Sequence, residues 1–109
     1  MSLGLPGDRR DDELRAVVAP IAAAAPAAVY LRELHGYLRG RAPGEVPGIL
    51  HAAFAAAGDA ALHDVNDELA ALHALLADAR PGDIVALLPH VDPAVEAELA
   101  ARGAKPLTL

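Results

Sequence analysis

The sequence has no cysteine, one lysine and three aromatic residues among its 109 residues. The absence of cysteine excludes disulfides, thiolate catalysis and cysteine-ligated zinc. Because Lys105 is the single lysine and precedes a proline, the chain has no P-loop lysine for the phosphates of ATP. With so few aromatic side chains, a core must be built from alanine, valine, leucine and isoleucine.

Positive charge is also scarce, since nine Lys and Arg face fifteen Asp and Glu, for a formal net charge of −6. Phosphate contacts need clustered Lys and Arg, so we expect no nucleic-acid partner. The longest uncharged run, residues 16–31, contains Pro20 and Pro26 and is shorter than the ~20 apolar residues of a membrane span. Residues 1–6 lack the basic and apolar regions of a signal peptide. We therefore expect a cytoplasmic protein with no membrane partner.

Turn signals divide the chain into short strand-like and longer helix-like segments. The pattern predicts strands at residues 2–5, 28–31, 61–65, 84–88 and 105–109. It predicts a helix capped by Asp11 or Asp12 that runs to about Ala25, a second helix from 45 to 57, a third after an Asn66 cap, and a fourth from Asp92-Pro93 to Gly103. This β-α alternation indicates an α/β domain over residues 1–109, a Rossmann-like three-layer sandwich. Its mostly parallel sheet would have about five strands, with helices on both faces.

The last two predicted strands differ in their expected surroundings. Residues 84–88 form a continuous apolar run, which is typical of a strand buried on both faces of a parallel sheet. Pro106 would place the final strand, residues 105–109, at an edge.

Candidate ligand-binding residues follow the first two strands. Asp8, Arg9 and Arg10 precede a helix N-terminus, which can hold an anionic group through backbone N–H donors and guanidinium groups. The next loop adds four further basic residues, Arg32, His35, Arg39 and Arg41. Ligands of open α/β sheets bind at the carboxyl ends of strands, so this grouping predicts an anion site there. The alternative is that these arginines pair with surface carboxylates.

The histidines suggest further but weaker sites. His90 follows the strand at residues 84–88 and is a candidate base, although the sequence identifies no partner for it. His63 and Asp64 lie near Asp67, but a metal site needs a third firm ligand, and a helix start explains Asp67. We therefore expect no metal. His51 and His73 fall within helices and are expected to be packed or half-exposed.

Four segments resemble, in order, the C-terminal domain of the Mur ligase family, and most closely its cyanophycin synthetase branch. Residues 6–14 read PGDRRDDEL, like the opening of that domain, and residues 37–46 contain its LRGR-x-PGEV segment. Residues 67–72 resemble its DE-x-x-AL helix start, and residues 79–85 its ARPGD turn before a strand. Together the four segments extend over nearly the whole chain.

The resemblance implies one lobe of an ATP-dependent amide ligase, which activates a carboxylate as an acyl phosphate and joins it to an amine. In that family this lobe closes over the nucleotide-binding domain and helps to position the amino-acid or peptide substrate. Asp8, Arg9 and Arg10 match the motif that faces the active-site cleft, and Arg39 and Arg41 match a basic loop suited to acceptor contact. The complete ligase would need ATP and Mg²⁺, but this chain is expected to hold no cofactor.

The chain also departs from the family pattern. His35 and Gly36 occupy a stretch that is usually acidic in cyanophycin synthetases, and the strand before Pro6 is short. Without a P-loop the chain should be inactive alone and should need an ATP-binding domain or a separate ATP-binding chain. The alternative is a free-standing, non-catalytic Rossmann-like module that binds a ligand or regulates. An exposed docking face could also produce a homodimer.

Overall fold

In the computed structural model, which describes residues 1–88 and 92–108, three parallel strands form one small sheet. They are β1 (Ser2–Leu3), β2 (Ala28–Arg32) and β3 (Ala61–Val65), hydrogen-bonded in the order β1-β2-β3. Tyr30 of β2 lies opposite Ser2 on one side and His63 on the other. All three carboxyl ends therefore point to the same edge of the sheet.

Four α-helices connect and follow these strands: α1 (Asp11–Ala23), α2 (Glu45–Ala57), α3 (Glu68–Asp78) and α4 (Pro93–Ala101). A short 3-10 turn, His35–Tyr37, lies between β2 and α2. The four predicted helices and the strands at residues 2–5, 28–31 and 61–65 are thus confirmed, with small changes at their ends. Within the described ranges no helix is long and apolar enough to cross a membrane.

Two helix caps differ from the prediction by one or two residues. The N-cap of α1 is Arg10, whose backbone N–H donates to Glu13 Oε2 at 2.8 Å. The expected caps, Asp11 and Asp12, instead lie in the first turn, where carboxylates interact favourably with the helix dipole. For α3 the cap is Asp67 rather than Asn66. Its extended backbone lets Oδ1 accept from the Ala70 N–H at 2.7 Å.

The helices cover both faces of the sheet. Alternate side chains of β2 point to opposite sides, as in any strand. Val29 and Leu31 belong to a core cluster with residues of β1, α1 and α2, namely Leu3, Leu14, Val18, Val46, Leu50 and Phe54. Tyr30 lies on the other face, in a smaller cluster with Ala71 and Leu75 of α3. The predicted α/β class with helices on both faces is therefore confirmed.

The prediction of about five strands is wrong for the described residues. Residues 84–88 run beside β1 but make a single bridge, Ser2 to Leu87. Because β1 has only two residues, it offers few backbone partners, and no strand of the described residues pairs with the outer side of this segment. Ile84 is 94% exposed, so the expected burial on both faces is also wrong.

The chain after α4 forms no strand in its described part. Residues 104–108 lack regular structure, and Leu107 is 90% exposed. Pro106 has no backbone N–H to donate to a neighbouring strand, which weakens any pairing of this segment. The last residue of the predicted strand, Leu109, lies outside the described residues.

Candidate functional site

The loops that follow β1 and β2 are locked together at the carboxyl edge of the sheet. The Gly7 N–H donates to the Tyr37 carbonyl at 2.7 Å. A Cβ atom on Gly7 would overlap the carbonyl oxygen of Leu38, so only glycine fits at this crossing. The two segments that carry the predicted basic residues are therefore in direct backbone contact.

Arg41 reinforces this crossing with every nitrogen of its guanidinium group. Nε donates to the Gly7 carbonyl at 2.9 Å, and Nη2 donates to the Arg9 carbonyl at 2.7 Å. Nη2 also reaches Asp11 Oδ1 at 2.8 Å, while Nη1 reaches Glu45 Oε2 at 3.0 Å. The hydrogen bonds to Asp11, which contributes most, and to Glu45 raise the pKa of Arg41 above its usual value. Arg41 thus holds the loop of residues 7–11 against α2, and its nitrogens are occupied within the chain.

The side chains of that loop are exposed, but they differ in what they contact. Arg10 lies 3.1 Å from Asp12 and 3.6 Å from Glu13, with 74% of its side chain exposed. Asp8 and Arg9 have no side-chain hydrogen bond or ion pair with any described residue. They remain available to a ligand at this edge, whereas Arg10 already has carboxylate neighbours.

The remaining predicted site residues lie farther along the second loop. The Arg39 guanidinium lies 5.0 Å from the centre of the Tyr37 ring. The backbone of Arg39 has a left-handed φ of 54°. His35 is 70% exposed on its side chain, with Nδ1 3.6 Å from Glu33 Oε2. Neither side chain forms a hydrogen bond or ion pair with residues 7–11 in the described structure. His90 lies outside the described residues.

A buried ion pair behind this edge was not predicted from the sequence. Arg32 and Glu68 are each 3% exposed, and Arg32 Nη2 lies 3.3 Å from Glu68 Oε2. Arg32 also donates from Nη1 to Ser2 Oγ at 3.3 Å and from Nη2 to the Leu88 carbonyl at 2.9 Å. The sequence pattern that could have predicted this pair is the alternation of side chains along β2, because it places Arg32 on the same face as Tyr30, against α3.

A second pair, His51 and Asp64, joins α2 to the end of β3. His51 Nε2 lies 2.8 Å from Asp64 Oδ1, and the side chains are 37% and 66% exposed. Both line a cleft of about 390 Å³ that also includes Glu33 and His35. Across residues 1–88 and 92–108, no group of three or more His, Asp or Glu is placed to hold a metal.

Comparisons of the chain with protein-family models, curated proteins and solved structures gave no match. A functional assignment therefore depends on the motifs in the sequence and on the contacts described above.

Proposed function

We propose that this chain is the C-terminal, Rossmann-like lobe of an ATP-dependent amide ligase of the Mur and cyanophycin synthetase type. The main support is the Arg41 clamp, which joins two of the motifs that carry the resemblance. One motif, residues 6–14, contains Gly7, Arg9 and Asp11, and the other, residues 37–46, contains Arg41 and Glu45. A ligand-facing loop held rigidly at the carboxyl edge of a parallel sheet suits a substrate-positioning lobe.

In this proposal the chain binds and orients the acceptor amino acid or peptide, and a partner domain or chain supplies ATP and Mg²⁺. The acceptor amine would attack the acyl carbon of the acyl phosphate, the bond from carbon to the phosphate oxygen would break, and the nitrogen would lose a proton. Arg9 would hold an anionic group of the substrate, with Arg10 beside it. Asp8 would accept a hydrogen bond from an N–H group of the acceptor. A cytoplasmic location, where ATP is abundant, fits this role.

The alternative function is a free-standing, non-catalytic binding or regulatory module with the same fold. It is favoured by the number of loop arginines that already have partners within the chain. Arg10, Arg32 and Arg41 each contact a carboxylate of this chain, whereas Arg9 and Arg39 contact none among the residues that the structure describes. A module of this kind would bind its ligand without a partner lobe.

The size of the native polypeptide separates a ligase lobe fused to its partner from a free-standing chain. An antibody raised to this domain would detect, in the cells that produce it, either a band well above 11.2 kDa or a band at that mass. A large band supports a complete ligase with its own ATP-binding domain. A band at the lower mass directs the search to a separate ATP-binding chain, and failure to find one in the native complex would contradict the ligase proposal.

Substitution of the loop arginines tests the site itself. Arg9→Ala with Arg10→Ala should abolish amino-acid-dependent ADP release by the complete ligase. It should leave folding nearly unchanged, since exposed substitutions shift stability by about 0.5 kcal/mol or less. Arg15→Ala is the matched control, because Arg15 is an exposed arginine of α1 whose ion pair is a long 3.8 Å contact with Asp11. Full activity of the double variant would show that Arg9 and Arg10 do not bind the substrate.

A further inference from the structure

One oxygen of the buried Glu68 carboxylate has no hydrogen-bond partner in the described structure. Oε2 faces Arg32, but Oε1 is shielded from solvent and receives no N–H or O–H. Burying a carboxylate oxygen without a hydrogen-bond donor costs more free energy than burying a neutral polar group without one. The site therefore requires a hydrogen-bond donor that the described part of this chain does not supply.

Glu68 lines a cleft at the carboxyl edge whose charged lining is mostly negative. We call it the acidic cleft, and its ionisable lining residues are Arg32, Glu33, His35, Asp67, Glu68 and Asp92. Four carboxylates face one guanidinium and the imidazole of His35, so the cleft favours a positively charged occupant. Among the described lining residues, Arg32 has its terminal nitrogens engaged by Ser2, Leu88 and Glu68, and His35 already lies 3.6 Å from Glu33.

The carboxylates at the rim are held in place by backbone donors. Glu33 Oε1 accepts from the Gly44 N–H at 2.7 Å, and Asp92 Oδ1 accepts from the Ala94 N–H at 3.0 Å. Asp67 caps α3 in the same way. Each of these carboxylates has a second oxygen that can accept from an occupant. The rim is therefore preorganised for a group with several N–H donors.

We propose that the acidic cleft is a docking pocket for a lysine or arginine side chain of a partner protein. An ammonium has three N–H donors and a guanidinium five, enough to serve Oε1 and the rim together. A free amino acid would bring its own carboxylate into a lining that has four carboxylates and, among the described residues, no guanidinium or ammonium group without a partner. The volume of about 240 Å³ is also below the ~300–1,000 Å³ typical of small-molecule sites. A lysine or arginine side chain within a polypeptide brings no free carboxylate and is small enough for this volume.

This inference goes beyond the proposed function, because it needs only a basic side chain on the partner and no nucleotide or ligase chemistry. Under the ligase proposal the ATP-binding partner is the natural source of that side chain. Under the alternative function the source would be another protein. The docking pocket can therefore be tested even if the ligase proposal fails.

The test is an NMR titration of the ¹⁵N-labelled full chain with N-acetyl-lysine methylamide and N-acetyl-arginine methylamide. These probes present the side chain without a free carboxylate. We expect saturable shifts at the amides of Asp67 and Glu68 with a millimolar Kd, and none with N-acetyl-norleucine methylamide. Asp92→Asn, which keeps the oxygen that caps α4, should weaken binding by about fivefold, as expected for one partly exposed charge pair. Glu96→Gln, an exposed carboxylate of α4 outside the cleft, should leave binding unchanged.

A second variant addresses the buried oxygen. Glu68→Gln should weaken probe binding more than Asp92→Asn, provided that its amide spectrum remains dispersed; if it unfolds, Asp92→Asn decides the test. The proposal is overturned if neither basic probe shifts these amides, or if the norleucine probe shifts them equally. It is also overturned if free lysine or arginine binds more tightly than its blocked form, because that result identifies a small-molecule site.

Discussion

Arginine residues of similar sequence context have three different fates in this molecule. Arg32 is buried against Glu68, Arg41 is bonded to the loop after β1 and to the first residues of α1 and α2, and Arg9 is exposed without a partner among the described residues. Their partners are far away in the chain, since Arg41 and Gly7 are 34 positions apart. The sequence placed Arg9 and Arg41 in loops after strands, but its placement of Arg32 in the second loop is wrong, because Arg32 is the last residue of β2. The fold alone separates a structural arginine from one available to a ligand.

The buried pair allows a prediction about single and double substitutions. Glu68→Leu should lower the free energy of unfolding by about 3–5 kcal/mol, because it leaves the Arg32 charge buried without a counterion. Adding Arg32→Met should recover most of that loss, since an apolar pair of similar volume avoids the desolvation of both charges. Urea unfolding of the two variants measures the difference. Arg102→Ala, which breaks an exposed pair with Glu98, is the control and should leave the midpoint nearly unchanged.

The Arg41 clamp predicts how the first loop responds to a conservative change. Arg41→Lys keeps the charge, but one ammonium cannot reach Gly7, Arg9, Asp11 and Glu45 together. We expect faster hydrogen exchange at the Gly7 amide, which is bonded to the Tyr37 carbonyl beneath the clamp. Arg39→Lys, in the same loop, should leave that exchange rate unchanged. Equal protection in Arg41→Lys and the wild type would mean that the backbone contact alone holds the loop.

At the scale of elements, local signals located most helices and strands. The boundaries of α2 and β3 agree with the prediction, because Gly58 ends the helix and Pro47 is tolerated in its first turn. The cap of α3 was displaced by one residue, since the neighbouring Asn66 and Asp67 offer nearly equivalent caps, whereas α1 is capped through the backbone N–H of Arg10, which donates to Glu13. In α1, Pro20 lies within the helix without ending it.

Pro20 provides a prediction about helix stability. It is exposed and lies inside α1, where proline removes a backbone hydrogen bond and crowds the preceding turn. Pro20→Ala should therefore raise the free energy of unfolding by about 1–3 kcal/mol, the gain in helix propensity being partly offset by a more flexible unfolded chain. Thermal unfolding measures the change. Pro93→Ala is the control at the first position of α4, where proline is favourable, and should not stabilise. If Pro20→Ala were less stable than the wild type, the proline ring would be making packing contacts that alanine does not replace.

At the scale of the whole molecule, the sheet has an open edge beside β1. Residues 84–88 are apolar, yet their outer side pairs with no segment that the structure describes, and Ile84 is almost fully exposed. Unpaired apolar edges are sites of association between chains. The homodimer expected from the sequence stays a prediction, and this edge is where the structure would accommodate it.

Ile84→Lys tests that edge. A charge at this position should reduce self-association of the isolated chain in sedimentation velocity, with stability changed by about 0.5 kcal/mol or less. Leu107→Lys is the matched control, because Leu107 is similarly exposed but lies outside the edge segment. An equal reduction by both substitutions would point to general apolar exposure rather than to strand pairing. A chain that is monomeric without any substitution would remove the homodimer prediction.

The sequence by itself determined the α/β class, four helices and three strands, because periodicity, glycine, proline and capping residues act over a few positions. Only the tertiary structure decided that residues 84–88 remain at an open edge and that Arg32 pairs with Glu68. An apolar run shows that a segment can be buried, but burial on both faces requires neighbours that β1, with two residues, does not provide. The partner of a charged side chain likewise depends on which distant segments the fold brings together, and a local sequence pattern does not show which segments those are.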